Sequence, residues 1–156
     1  MNALAKLLAT LGPIGYAPFA PASVASAVVV AIAYFLPPIP LAVTAGLLVV
    51  GTVVAVWAST EAEKSLGHDA KPIVIDELIG QSLALLFVPR HPVTYFAAFF
   101  LFRLFDVWKP LGAREAQRLR GGRGVVADDC VAGVTACLVF HGLAWAARKA
   151  GIAVPV

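Results

Sequence analysis

Charge is scarce in this sequence. Asp, Glu, Lys and Arg supply 13% of its 156 residues, about half the share of roughly 25% usual in soluble domains. With 60% hydrophobic residues and a mean hydropathy of +0.87, an ordinary soluble surface is excluded and an integral membrane protein is expected. Cysteine is nearly absent. Cys130 and Cys137 are the only pair, and their spacing along one helix is about 10 Å, too far to bridge. A disulfide framework is therefore excluded, and both read as apolar filler. His68, His91 and His141 fall at unrelated places, so no Cys/His set exists for zinc. Walker, GxSxG and dinucleotide motifs are missing, as is a Cys nucleophile with a His partner. The N-terminus has Lys6 as its only charge and no clean signal-peptide cleavage site, so the chain is expected to stay in the membrane uncleaved. The formal net charge of +3 comes mostly from loop Lys and Arg. It reads as topology and attraction to anionic headgroups, with no sign of nucleic-acid binding.

What is present is a succession of apolar segments, within a length that suits one domain over residues 1–156. Leu4, Leu7, Leu8 and Leu11 recur at helical spacing, the pattern of an amphipathic helix at the membrane interface. Apolar stretches follow at 23–36, 41–58, 73–88, 93–108 and 128–147. They are separated by Pro37, Pro38 and Pro40, by a polar stretch at 59–72, by the Pro89–Pro92 turn, and by a basic, Gly-containing loop at 109–127. The expected fold is all-α: a membrane helical bundle of about five apolar helices plus the N-terminal amphipathic helix. The third and fourth stretches fall short of the roughly 20 residues a vertical span needs, which keeps four spans and a re-entrant hairpin open. With the N-terminus inside, all nine acids face the inner side, and only Arg90, Arg148 and Lys149 of the twelve Lys and Arg lie outside. That is the positive-inside pattern.

The acids gather where apolar segments meet polar loops. Asp76 and Glu77 open one apolar helix in this reading, with Gly80 a turn later, and Asp128 and Asp129 open another, with Gly133 a turn later. Acids at helix starts favour the macrodipole. Two such pairs, each followed by a Gly that lets helices approach closely, point beyond capping to a site. Asp106 shares a helix face with Arg103 and Lys109, either as an ion-pair ladder or as a metal ligand with cations left for phosphate. Carboxylates of this number suit a hard divalent cation, Mg²⁺ above all. The stretch 121–124, Gly-Gly-Arg-Gly, reads as a hydrated basic loop or as a phosphate cradle of backbone N–H groups with Arg123.

Three motifs stand in order: Ile75-Asp-Glu-Leu-Ile-Gly80, Arg103-Leu-Phe-Asp-Val-Trp-Lys-Pro110 and Gly121-Gly-Arg-Gly-Val-Val-Ala-Asp-Asp-Cys-Val-Ala-Gly133. Together they resemble the phosphatidylglycerophosphatase A family of bacterial membrane phosphatases, over about residues 12–145. The resemblance implies Mg²⁺-dependent removal of the terminal phosphate of phosphatidylglycerophosphate. It carries metal and catalytic roles to Asp76, Glu77, Asp106, Asp128 and Asp129, and phosphate contacts to Arg103 and Lys109. The family's Pro-Gly-Thr-x-Gly-Ser motif is altered here to Pro21-Ala-Ser-Val-Ala-Ser26. Ser23 and Ser26 keep hydroxyls for the phosphate, while Ala22 and Ala25 replace glycines. Ser23 reads more naturally as a helix N-cap.

The resulting expectation is a multi-pass lipid phosphatase of the bacterial inner membrane, acting on a phospholipid in the bilayer at the cytoplasmic face. Asp76, Glu77, Asp106 and Asp129 are the catalytic candidates, with Asp129 or Glu77 as general base. All five acids are candidate Mg²⁺ ligands, and Arg103, Lys109, Arg123, Ser23 and Ser26 are candidate phosphate contacts. An ion- or proton-coupled transporter component is the alternative, since intramembrane acids with an Arg also serve such pathways. The oligomeric state is left open.

Overall fold

The computed structural model describes residues 2–109 and 112–155. Pro110, the last residue of the second motif, lies outside them. Among the described residues the chain is all-helical: α1 (Ala3–Ala9), a 3-10 turn (Ile14–Tyr16), α2 (Pro21–Phe35), α3 (Leu41–Leu66), α4 (Ile75–Ala84), α5 (Pro92–Trp108), α6 (Ala113–Ala116) and α7 (Gly122–Lys149).

Proline sets several of the boundaries. Pro21 takes the first position of α2, where a missing N–H costs nothing. The helix ends at Leu36, held extended by Pro37 behind it. His91 caps α5, its Nδ1 accepting from the Val93 N–H at 3.2 Å, with Pro92 following.

A helix stands in each of the five apolar stretches, but among the described residues only α3 and α7 are long and apolar enough to cross a membrane. At 26 and 28 residues they exceed the roughly 20 needed. Much of α3 faces outward with bare Leu41, Leu47, Val49, Val50 and Val53, surface that water would penalise and lipid would not. With ten residues, α4 is about 15 Å long and stops well short of a bilayer's width.

This short helix is the centre of the bundle. Its most extensive contact is with α7, and α2, α3 and α5 also pack on it. Ile75 and Ile79 meet Ala55, Ala58 and Val125 on one side, while Ala84 joins Phe102, Phe105 and Ala132 on the other. In α1, Ala5 and Ala9 are buried, Leu8 packs against the core, and Leu4 and Leu7 remain exposed. The helix ends at Ala9 and Leu11 follows it in a left-handed backbone conformation, so the helical spacing holds for Leu4, Leu7 and Leu8 and not for Leu11.

Three local expectations are corrected. The polar stretch at 59–72 does not all separate helices, because α3 runs on through it to Leu66. Ser23 lies inside α2, whose N-cap is Ala20, so it caps nothing. The third correction concerns α7, which begins at Gly122, so Asp128 and Asp129 sit in its second turn and do not open it. Gly122 packs where a β-carbon would lie 2.5 Å from the Val56 carbonyl oxygen, and its N–H donates to Thr60 Oγ1 at 3.1 Å. Gly121 and Gly122, which look like loop residues, are contact points with α3, while Gly124 packs against the Gln117 and Leu119 carbonyls.

Candidate active site

Four helices bring polar side chains to one end of the bundle. The start of α4 supplies Asp76 and Glu77, the end of α5 supplies Arg103 and Asp106, α7 supplies Asp128 and Asp129, and α2 supplies Ser26. All but Arg103 and Asp106 are buried, with Asp129 3% and Ser26 0% exposed. Oxygens of Glu77, Asp106 and Asp129 lie within 4.8 Å of one another.

Arg103 is the hub. Its Nη1 donates to Glu77 Oε2 at 2.6 Å and stands 3.0 Å from Asp106 Oδ2. Ser26 Oγ lies 3.2 Å from the same Glu77 oxygen and 3.0 Å from the Ala22 carbonyl, so its one proton serves either acceptor. Asp128 is turned aside, its side chain paired with Lys109 Nζ and its Oδ1 accepting the Asp129 N–H at 3.1 Å. Partial burial alone would lower the pKa of Lys109. The hydrogen bond to Asp128 and the charges of Asp128, Asp106 and Asp69 outweigh it and hold the ammonium above its ordinary value.

Against five clustered carboxylates stand two paired cations, Arg103 and Lys109. Buried acids left without counter-charge are costly. Asp76 Oδ1 and Asp129 Oδ2 are both buried without a hydrogen-bond partner, so acceptors remain unused. An all-oxygen donor set with spare lone pairs and surplus negative charge fits a hard divalent cation. The cluster can hold a metal ion.

A protein-family model described as phosphatidylglycerophosphatase A matches residues 7–144. The chain belongs to the phosphatidylglycerophosphatase A family. It belongs with it to the phosphoric monoester hydrolases. A relative from Escherichia coli strain K12, named phosphatidylglycerophosphatase A, is 33% identical over 136 residues, covering 84% of this chain and 79% of its own length. A Bacteroides thetaiotaomicron protein described as a candidate phosphatidylinositol-3-phosphatase is 39% identical over 139 residues, covering 84% and 87%. A Haemophilus influenzae phosphatidylglycerophosphatase A is 36% identical over 78 residues, covering 49% and 48%. No solved structure matches the chain. Family membership does not favour the transporter alternative.

Among the residues named for this family's chemistry, Glu77, Asp106, Asp129, Arg103 and Ser26 converge. Asp76 is buried in the same turn of α4, and Lys109 and Asp128 form the adjoining pair. Ser23 is half-buried and Arg123 exposed, and neither side chain makes a hydrogen bond or ion pair among the described residues. The three histidines stay apart: His68 pairs with Glu63 at 2.6 Å, His91 caps α5, and His141 Nε2 lies 3.1 Å from the Leu86 carbonyl. Two residues escaped the sequence reading. Gln81 and Ser59 are fully buried with unpartnered side-chain polar atoms. Gln81 follows Glu77 by one helical turn on the same face, a spacing that marks it. Ser59 shows no such signal.

Proposed function

We propose that this protein is a Mg²⁺-dependent lipid phosphatase that hydrolyses the terminal phosphate of phosphatidylglycerophosphate to phosphatidylglycerol, in phospholipid biosynthesis. One observation carries the reading. In a chain of this family, Glu77, Asp106 and Asp129 come from three helices to within 4.8 Å, with Arg103 between two of them. A phosphate monoester brings negative charge that must be neutralised, and a water that must be deprotonated as it attacks.

A bound divalent cation would supply charge neutralisation at the phosphate and hold the attacking water. Glu77, Asp106 and Asp129 would hold it, with Asp76 and Asp128 alongside. Arg103 rotates from its carboxylates to the phosphoryl oxygens, where its planar fork matches their geometry, and Lys109 adds a second positive charge. Asp129, with a buried oxygen free of partners, takes a proton from water as the water oxygen bonds to phosphorus. The P–O ester bond breaks, the leaving oxygen takes up the proton that Asp129 removed from the water and becomes the alcohol of phosphatidylglycerol, and inorganic phosphate departs.

The chain would sit as a multi-pass protein in the bacterial inner membrane with this end towards the cytoplasm. The hydrogen bond from Gln117 Nε2 to Asp69 Oδ2, 2.9 Å, ties together the two loops assigned inside and supports one shared face for them. A second substrate reading comes from the Bacteroides relative, whose name points to a 3-phosphorylated phosphatidylinositol. Both substrates are lipid phosphomonoesters. The test is phosphate release by purified protein from each lipid, with Mg²⁺ and then with EDTA. Mg²⁺-dependent release from phosphatidylglycerophosphate in preference to the inositol lipid supports the first reading. The reverse preference moves the substrate, and release from neither lipid sinks the reading.

A further inference from the structure

A groove of about 380 Å³ runs between α2 and α5, lined by Ala27, Ala31, Tyr34, Tyr95, Phe96 and Phe99 among others. No charged side chain lines it. Its volume falls within the roughly 300–1,000 Å³ of ligand clefts.

Its position gives it meaning. The two helices run antiparallel, and at one end Ser26 of α2 and Arg103 of α5 both reach the same oxygen of Glu77. At the other end Tyr34 and Tyr95 meet edge to face, ring centroids 5.9 Å apart. Arg90 lies over the Tyr34 ring at 5.9 Å and donates to the Tyr34 carbonyl, which braces that end. The groove begins at Ala27, the residue after Ser26, and extends to Phe35, about 12 Å of helix. On α5 its near end, Phe99 and Phe100, lies one helical turn before Arg103 on the same face, so the groove leads away from the carboxylate cluster and from the polar end of the bundle. Its floor carries small exposed residues, Ala27 and Ala31, one turn apart. Its rim carries Phe35, Phe96 and Phe100, at 80%, 64% and 52% exposed, so it opens sideways to whatever surrounds the apolar belt.

We propose that this groove holds an acyl chain of the phospholipid substrate whose phosphate lies at the Arg103 end. The inference rests on the lipid phosphatase reading and assigns that substrate's tail a place. Bilayer and groove are similarly apolar, so seating the tail gains little by transfer. What it supplies is position: a tail laid along the α2–α5 seam holds the headgroup at the depth of Glu77, Asp106 and Asp129.

Two arms test this. In the first, the purified protein is photolabelled with phosphatidylglycerophosphate carrying a diazirine in its acyl chain, and labelled peptides are mapped. Labelling should concentrate on α2 and α5 around Ala31, Phe96 and Phe99, and unlabelled substrate lipid should suppress it where phosphatidylcholine does not. Even labelling around the apolar belt, or equal suppression by both lipids, would mean ordinary bilayer lipid and overturn the proposal. This arm needs no turnover, so an inactive wild-type protein would count against the phosphatase reading alone. In the second, Ala31→Trp fills the groove from an exposed position. It should lower kcat/KM for long-chain lipid on the order of tenfold and leave turnover of the deacylated headgroup, glycerophosphoglycerol phosphate, unchanged. Equal loss on both substrates, no loss on either, or a changed oligomeric mass on substitution would overturn it.

Discussion

Gly80 and Gly133 face each other across the seam between α4 and α7, where a β-carbon on Gly133 would stand 2.2 Å from the Gly80 carbonyl oxygen. A β-carbon on Gly80 would in turn lie 2.8 Å from the Asp129 carbonyl oxygen. The spacing of the two helices, and with it the distance from Glu77 to Asp129, depends on these missing side chains. Gly133→Ala is therefore expected to force the seam apart, destabilising the protein by about 1–3 kcal/mol or more. Thermal unfolding in detergent would register the loss, and activity should fall with it. An unchanged Tm would mean that the seam yields freely.

Asp128 and Asp129 are neighbours with separate duties. Asp129 joins Glu77 and Asp106, while Asp128 is tied to Lys109. Asp129→Asn should lower kcat by about 10²-fold or more with the protein still folded. Asp128→Asn should cost less turnover and show mainly as weaker substrate binding, through a loosened Lys109. Steady-state kinetics on both variants, with circular dichroism as the folding control, separates the two. Equal losses of kcat would place both acids in the same role.

Arg103→Lys keeps the charge and loses the fork. One ammonium cannot reproduce a planar donor set placed between two carboxylates and a phosphate. A fall in kcat/KM of about 10²-fold is expected, with stability little changed. Full activity in the lysine variant would show that charge alone suffices there.

The pH dependence of the Lys109–Asp128 pair has a definite sign. Folding raises the Lys109 pKa, so its contribution to stability is fully present below the unfolded value of about 10.4. It is lost only as pH rises through the higher folded value. Stability measured from neutral pH to about pH 10 should therefore show no loss that Lys109→Met abolishes. A Lys109-dependent transition near neutrality would contradict the pairing.

Much of the arrangement was legible in the sequence. Asp76 and Glu77 do open a helix, Arg103 and Asp106 do pair across one turn, and Gly80 and Gly133 do mark a close approach. What escaped was tertiary. Nothing local in 121–124 tells a flexible loop from a helix start pressed on α3, because glycine serves both, so the sequence alone puts the helix opening at Asp128 and Asp129. Ser23 has the side chain of a cap, but the chain turns earlier, at Ala20 in a left-handed conformation. Lys109 lies one turn from Asp106 yet reaches across to Asp128, a choice that only the packing of α5 on α7 decides.

Arg103, held between Glu77 and Asp106, has a bearing on how the protein is made. The guanidinium is a counter-ion encoded in the chain, shared by two of the three converging acids, so one unit of their negative charge is offset from the moment the helices meet. Assembly in the membrane is then expected to come first and loading with an ion second. A chelator should silence such a protein without taking it apart.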